Sequence, residues 1–219
     1  DNLGDWSSDV CSSDLTFLRQ RSGTSGKAKG VRTSHYNMTS VLSMLAPFDV
    51  TPKDRQIVVL PLNHIYVCPY FALLVCEHAL NLRGQQGLTK ALLWPLRISN
   101  AVIILPKFDL VPYCALVEKY SATVSLLVPP IALLLAREPV VDKYNLSSLR
   151  LVLSGAAPLG KELEVELSKR IGTSVTQAYG LTEASPTTHY CPLATPRPGS
   201  IGPLLPMMRG RICDPEVSR

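Results

Sequence analysis

Nine consecutive residues, Ser22-Gly23-Thr24-Ser25-Gly26-Lys27-Ala28-Lys29-Gly30, combine three glycines, three hydroxyls and two lysines in one loop. Such a loop is built for phosphate: glycines let main-chain N–H groups approach an anion, hydroxyls donate to phosphoryl oxygens, and lysine offsets their charge. It is not the Walker pattern, because Lys27 is followed by Ala28 and no glycine stands at the required earlier position. Taken alone, the stretch could also be a flexible surface loop.

Two further stretches carry chemistry. Gln177-Ala178-Tyr179-Gly180-Leu181-Thr182-Glu183 sets an aromatic, a hydroxyl and a carboxylate within five residues. Tyrosine can stack on a purine, threonine can bond a phosphate, and glutamate can hold Mg²⁺. Alone it would also suit a strand-to-loop exit with a core tyrosine. Ser154-Gly155-Ala156-Ala157-Pro158-Leu159-Gly160 follows a predicted strand, and ligands of open α/β sheets bind at that edge, where small residues let a flat ring approach the backbone.

The elements that must position these motifs alternate. Runs rich in β-branched residues at 56–60, 101–105, 122–128, 149–154 and 174–176 read as strands, and segments of helical period at 37–45, 87–96, 110–119, 130–137 and 159–171 read as helices. Asp109 suits an N-cap, Pro129-Pro130 ends a strand, and Gly172 suits a helix carboxyl end. The pattern predicts an α/β fold of parallel-sheet layers with crossover helices.

With these residues in this order, the chain resembles the adenylate-forming superfamily, most closely the acid:thiol ligases of the 4-coumarate:CoA ligase type. The resemblance runs from about Ser22 to Glu216 and includes Leu105-Pro106-Lys107-Phe108-Asp109, Leu146-Ser147-Ser148-Leu149-Arg150 and Gly199-Ser200-Ile201-Gly202. It implies ATP and a small carboxylic acid as substrates, giving an acyl-adenylate and pyrophosphate, with coenzyme A then displacing AMP. It implies that Ser22, Gly23, Thr24, Ser25, Gly26 and Lys29 cradle phosphates. Tyr179 would stack on adenine beside Gly155, Ala156 and Ala157, Thr182 would touch the α-phosphate, and Glu183 would bind Mg²⁺. His64 would stand near the reacting carboxylate, and Ile65, Tyr66, Leu153, Ala156, Ala178, Gly180, Pro186 and Thr187 would line the acyl pocket. His35, His78 and His189 carry no such support.

Three positions depart from the family pattern: Ala28 replaces a proline, Arg21 a small hydroxyl residue and Ala178 a glycine. The resemblance also implies a region before the phosphate loop, and a ribose-binding aspartate, hinge and mobile small domain after Arg219. The expectation is therefore a central piece of the large N-terminal domain, without the C-terminal small domain and inactive alone. A non-catalytic pseudogene or misassembled gene product, and a phosphate-binding NTPase, are the alternatives.

Two segments are expected to be foreign to the fold. Residues 1–15 hold four aspartates, no basic residue and the low-complexity run Asp5-Trp6-Ser7-Ser8-Asp9-Val10-Cys11-Ser12-Ser13-Asp14-Leu15, which back-translates as one frame of a common sequencing adapter. They read as a disordered, non-native leader before a partial AMP-binding domain at 16–219. Residues 67–86 interrupt a block that otherwise runs from His64-Ile65-Tyr66 into Gly87-Leu88-Thr89-Lys90. Val67-Cys68 can be encoded by a splice-donor sequence and Gln86 by a splice acceptor, so the twenty residues read as a retained intron in frame.

Composition narrows the class. The chain is 46% hydrophobic and 18% charged, which excludes disorder as its main state. Setting the four leader aspartates aside raises the formal net charge from +5 to +9, yet the basic residues are dispersed without interleaved aromatics, so nucleic acid is not an expected partner. The longest apolar stretch is broken by Pro61, Asn63, His64, Pro69, Glu77 and His78, so no membrane span is predicted, and no protein partner is predicted either. Six cysteines lack metal spacing and read as reduced core thiols of an intracellular protein, cytoplasmic or peroxisomal.

Overall fold

The computed structural model describes residues 15–21, 29–59 and 93–214, the strand residues 15–21 and 29–30 by backbone alone. Strands β1 (Leu15–Arg21) and β2 (Lys29–Ser34) form an antiparallel pair in which Arg21 is the register partner of Lys29. The remaining strands are β3 (Arg55–Val58), β4 (Ala101–Ile104), β5 (Val124–Leu127), β6 (Leu151–Ser154), β7 (Ser174–Gly180) and β8 (Thr187–Tyr190). They make one six-stranded sheet in the order β4-β3-β5-β6-β7-β8, parallel from β4 to β7, with β8 antiparallel to β7. The expected parallel sheet is therefore present, with an antiparallel strand at one edge.

Helices α1 (His35–Met44), α2 (Trp94–Ile98), α3 (Leu110–Tyr120), α4 (Pro129–Arg137) and α5 (Lys161–Ile171) connect the strands. Their ends follow local chemistry. Ser34 and Asn37 make a reciprocal capping box at the start of α1, and the Asp109 carboxylate accepts from the Val111 N–H at the start of α3. Helix α5 carries Glu162 and Glu164 in its first turn and Lys169 and Arg170 in its last, matching its dipole, and ends on Gly172 at φ 67°.

Strand alternation sends successive side chains to opposite faces, and each face has its own core. Val152 and Val175 join Tyr113, Val117, Ile131, Leu135 and Leu167 under α3, α4 and α5. Leu126 and Leu153 join Val41, Phe48, Trp94 and Tyr190 on the other face. There Phe48 stacks on Tyr190 at 4.0 Å, and burial pushes the Tyr190 phenol up to about 12. Burying one such aliphatic side chain contributes about 1.5–3 kcal/mol.

Polar tethers bind the amino-terminal ends of the central strands. Asp54, just before β3, receives the Arg150 guanidinium at 2.7 and 2.6 Å, the Thr123 hydroxyl at 2.6 Å, and the Thr51 N–H and hydroxyl at 2.8 and 2.9 Å. Burial alone would raise the Asp54 pKa, but these donors, Arg150 foremost, hold the carboxyl well below the usual carboxylate range. Because Thr123 precedes β5 and Arg150 precedes β6, one carboxylate ties three neighbouring strands together.

Several sequence expectations need correction. The helix read from Leu159 starts at Lys161, because both backbone groups of Leu159 are taken by the Gln177 side chain. The strand read as 174–176 continues to Gly180, because β8 folds back on it, and β1, β2 and β8 were not foreseen. The helix read at 87–96 is described only as Trp94–Ile98, its first residues lying outside the described set. Leu15, assigned to the leader, opens β1, while residues 1–14 and the insert 67–86 lie outside the described residues. Among the cysteines Cys114 and Cys191 are buried, but Cys213 is exposed and is no core thiol. No helix among the described residues is long and apolar enough to cross a membrane.

Candidate functional site

The carboxyl ends of β6 and β7 lie side by side, with Ser154 the register partner of Gln177. The two motifs that begin there, separated by more than twenty residues in sequence, consequently leave the sheet at one edge. After Ser154 the chain turns at once: the Gly155 N–H donates to the Leu127 carbonyl at 3.2 Å, and Ala156 sits at φ 70°. Ala156, Ala157 and Pro158 are exposed and Leu159 returns to the core. The turn thus presents two methyl-sized side chains above the sheet edge.

On β7, Tyr179 is 48% exposed although it lies within a strand, which leaves ring surface available to a planar ligand. Its ring meets His189 edge-on, centroids 5.8 Å apart, and His189 is its register partner on β8. His189 is held in turn by the Thr188 hydroxyl, 2.9 Å from Nδ1. This neighbour was missed from sequence because β8 was not recognised; the β-branched and aromatic residues Thr187, Thr188 and Tyr190 were the available signal.

Beyond Gly180 the short 3-10 turn Thr182–Ala184 buries Thr182 and exposes Glu183. Gly180 admits no side chain, since a Cβ would run into the Pro186 carbonyl oxygen. Strand β2 packs against this turn. Because Arg21 pairs with Lys29, the candidate phosphate loop is the connection between β1 and β2, the strand that packs against this turn. Ser22, Gly23, Thr24, Ser25 and Gly26 lie outside the described residues, and Lys29 is described by backbone alone.

The expected acyl-pocket residues divide into groups. Leu153 is buried and Ala178 half-buried in the apolar cluster with Phe48, Trp94 and Tyr190. Gly180, Pro186 and Thr187 meet at the start of the β7-β8 hairpin, with Pro186 and Thr187 buried. Ala156 stands apart on the loop with Gly155 and Ala157. His64, Ile65 and Tyr66 lie outside the described residues. Among the described residues no group of three or more His, Cys, Asp or Glu could hold a metal ion. A single carboxylate such as Glu183 is the donor that a Mg²⁺ shared with substrate phosphates commonly uses.

Comparison with known proteins bears on the family and the fold. The family model described as "AMP-binding enzyme" matches residues 78–219. The chain is 38% identical over 219 residues to 4-coumarate:CoA ligase 1 of Petunia hybrida, covering 95% of this chain and 37% of that protein. It is 35% identical over 220 residues to 4-coumarate–CoA ligase 1 of Petroselinum crispum, with the same coverage. Among solved structures, ATP-bound MatB from Rhodopseudomonas palustris superposes with a TM-score of 0.77 at 30% identity, over 96% of this chain and 38% of that one. The chain thus spans about 37% of the length of the curated relatives it matches.

Proposed function

We propose, from the premise that the chain belongs to the AMP-binding enzyme family, that it serves an ATP-dependent acid:CoA ligase reaction of the 4-coumarate:CoA ligase type. The observation that carries this reading is that the 155–157 turn and the Tyr179 to Glu183 segment leave one sheet edge, and that β2, the strand that follows the glycine-rich loop, packs against the Thr182–Ala184 turn there.

In this reading the exposed ring of Tyr179 and the small residues Gly155, Ala156 and Ala157 hold adenine. Ser22, Gly23, Thr24, Ser25, Gly26 and Lys29 hold the β- and γ-phosphates, and the buried Thr182 hydroxyl touches the α-phosphate. The acid carboxylate attacks the α-phosphorus, and the bond to pyrophosphate breaks. Charge then builds on phosphate oxygens, where N–H, hydroxyl and lysine donors offset it without reorganising. Glu183 would hold Mg²⁺, which supplies further neutralisation of the phosphates. His64 would stand beside the reacting carboxylate, with Ile65, Tyr66, Leu153, Ala156, Ala178, Gly180, Pro186 and Thr187 around the rest of the acid. The coenzyme A thiolate then forms the thioester, and the acyl bond to AMP breaks.

Calorimetry with the 219-residue chain tests the nucleotide half: ATP with Mg²⁺ should bind, while acyl-CoA formation stays negligible. A fusion that supplies the remaining segments of a relative tests the reaction. Pyrophosphate release that depends on added carboxylic acid supports the ligase; acid-independent release of inorganic phosphate would instead favour an NTPase.

A further inference from the structure

Beneath the 155–157 turn lies a buried polar cluster that none of the site assignments uses. The Gln177 side chain, 4% exposed, accepts from the Leu159 N–H at 2.9 Å and donates to the Leu159 carbonyl at 3.0 Å. Its amide nitrogen also donates to Glu164 Oε2 at 2.7 Å. The same oxygen of Glu164, itself 3% exposed, accepts from the Gly199 N–H at 3.0 Å. Three parts of the chain, the turn after β6 with the first turn of α5, strand β7 and the loop at 199, therefore meet on one carboxamide and one carboxylate.

A side-chain amide bonded to both backbone groups of a single residue acts as a rung of sheet ladder, so Leu159 is held at a fixed height above β7. Alternation along β7 places Gln177 and Tyr179 on the same face, two residues apart. The turn is thereby anchored to position 177 on both sides, by the Ser154 register pairing before it and by the Leu159 hydrogen bonds after it. Hydrogen bonds to an ionised carboxylate are roughly twice as strong as neutral ones, and a buried polar group left unpaired costs about 1–3 kcal/mol. The cluster is consequently stiff and intolerant of a missing partner.

We propose that Gln177 and Glu164 are positioning residues that set the width of the base slot between the 155–157 turn and Tyr179, and with it the adenine-dependent part of ATP affinity. This rests on the reading that the turn and Tyr179 hold the base. Neither residue touches the nucleotide through its side chain; both act through the turn.

The test compares ATP with inorganic tripolyphosphate, which has no base, on the 219-residue chain. Gln177→Glu removes both amide donors and sets a second carboxylate against Glu164. It should weaken ATP about tenfold or more while leaving tripolyphosphate within about twofold. The exchanged pair, Gln177→Glu with Glu164→Gln, can rebuild two of the four hydrogen bonds, since the one atom of residue 164 that faces both position 177 and the Gly199 N–H cannot donate to the first and accept from the second. It removes the facing carboxylates and should recover part of the lost ATP affinity, remaining measurably weaker than the parent. Unchanged ATP affinity in the single variant, or parallel loss of both ligands, overturns the proposal, since a purely structural role would weaken both alike. Should the single variant fail to fold, the exchanged pair decides: an ATP-to-tripolyphosphate ratio equal to the parent's overturns it. A parent chain that binds ATP no more tightly than tripolyphosphate would instead remove the base-site reading itself.

Discussion

Tyr179 and His189 face each other across the β7-β8 ladder as register partners, their ring centroids 5.8 Å apart at an interplanar angle of 62°. The edge contact steadies a tyrosine that is otherwise 48% exposed. A base stacked on an aromatic side chain is worth about 1–3 kcal/mol, and the aromatic pair itself about 0.5–1.5 kcal/mol. Tyr179→Ala should therefore weaken ATP about tenfold and His189→Ala about threefold, with inorganic tripolyphosphate unaffected by either. Calorimetric titration reads both, and a Tyr179→Ala chain that binds ATP normally would exclude Tyr179 from the base site.

Gly180 is fixed by a neighbour rather than by its own backbone angle. A methyl group there would meet the Pro186 carbonyl oxygen, a backbone atom that cannot rotate aside. Gly180→Ala should cost about 1–3 kcal/mol through overpacking and displace the Thr182–Ala184 turn. Thermal melting and ATP titration should both fall; a variant as stable as the parent would contradict this packing.

Asp54 should make stability depend on acid. Its pKa is depressed in the folded protein, so its contribution is fully present above the unfolded value, near 3.9, and is lost as pH falls toward the lower folded value. Asp54→Asn should cost about 2 kcal/mol at pH 7, below the figure for a fully buried pair because the Arg150 side chain is 36% exposed. From about pH 5 downward the variant should lose stability less steeply than the parent. Denaturant melts at pH 7, 5 and 3 measure this, and parallel losses in both chains would show that Asp54 is not the titrating group.

Ala178 lies half-buried against the cluster that holds Leu153 and Trp94. In the proposed acid pocket its methyl group would narrow the space on that face. In the fusion that restores the remaining segments, Ala178→Gly should shift turnover toward bulkier or longer acids across a panel of aromatic and medium-chain substrates. Identical profiles would remove Ala178 from the acid pocket.

Much of the architecture was legible because it rests on local chemistry. The β-branched runs became β3 to β7, Asp109 caps α3, and Gly172 ends α5 in a left-handed conformation. The order of the motifs was enough to identify the family, since each is a short contiguous run whose residue types suit one chemical task. The boundaries that failed were those set by partners far along the chain: Leu159 fits a helical period but is withdrawn from α5 by Gln177, eighteen positions away.

The sequence by itself therefore determined which residues could bind phosphate, base and metal, because hydroxyls, glycines, aromatics and carboxylates carry those capacities wherever they stand. Only the tertiary structure decided how those of them it describes meet. Parallel pairing of β6 with β7 brought the 155–157 turn beside Tyr179, and the return of β8 extended β7 and delivered His189. The buried Gln177 and Glu164 pair then locked the turn in place. These are contacts between residues with no local signal, formed because a buried donor or acceptor must find its partner wherever the fold supplies one.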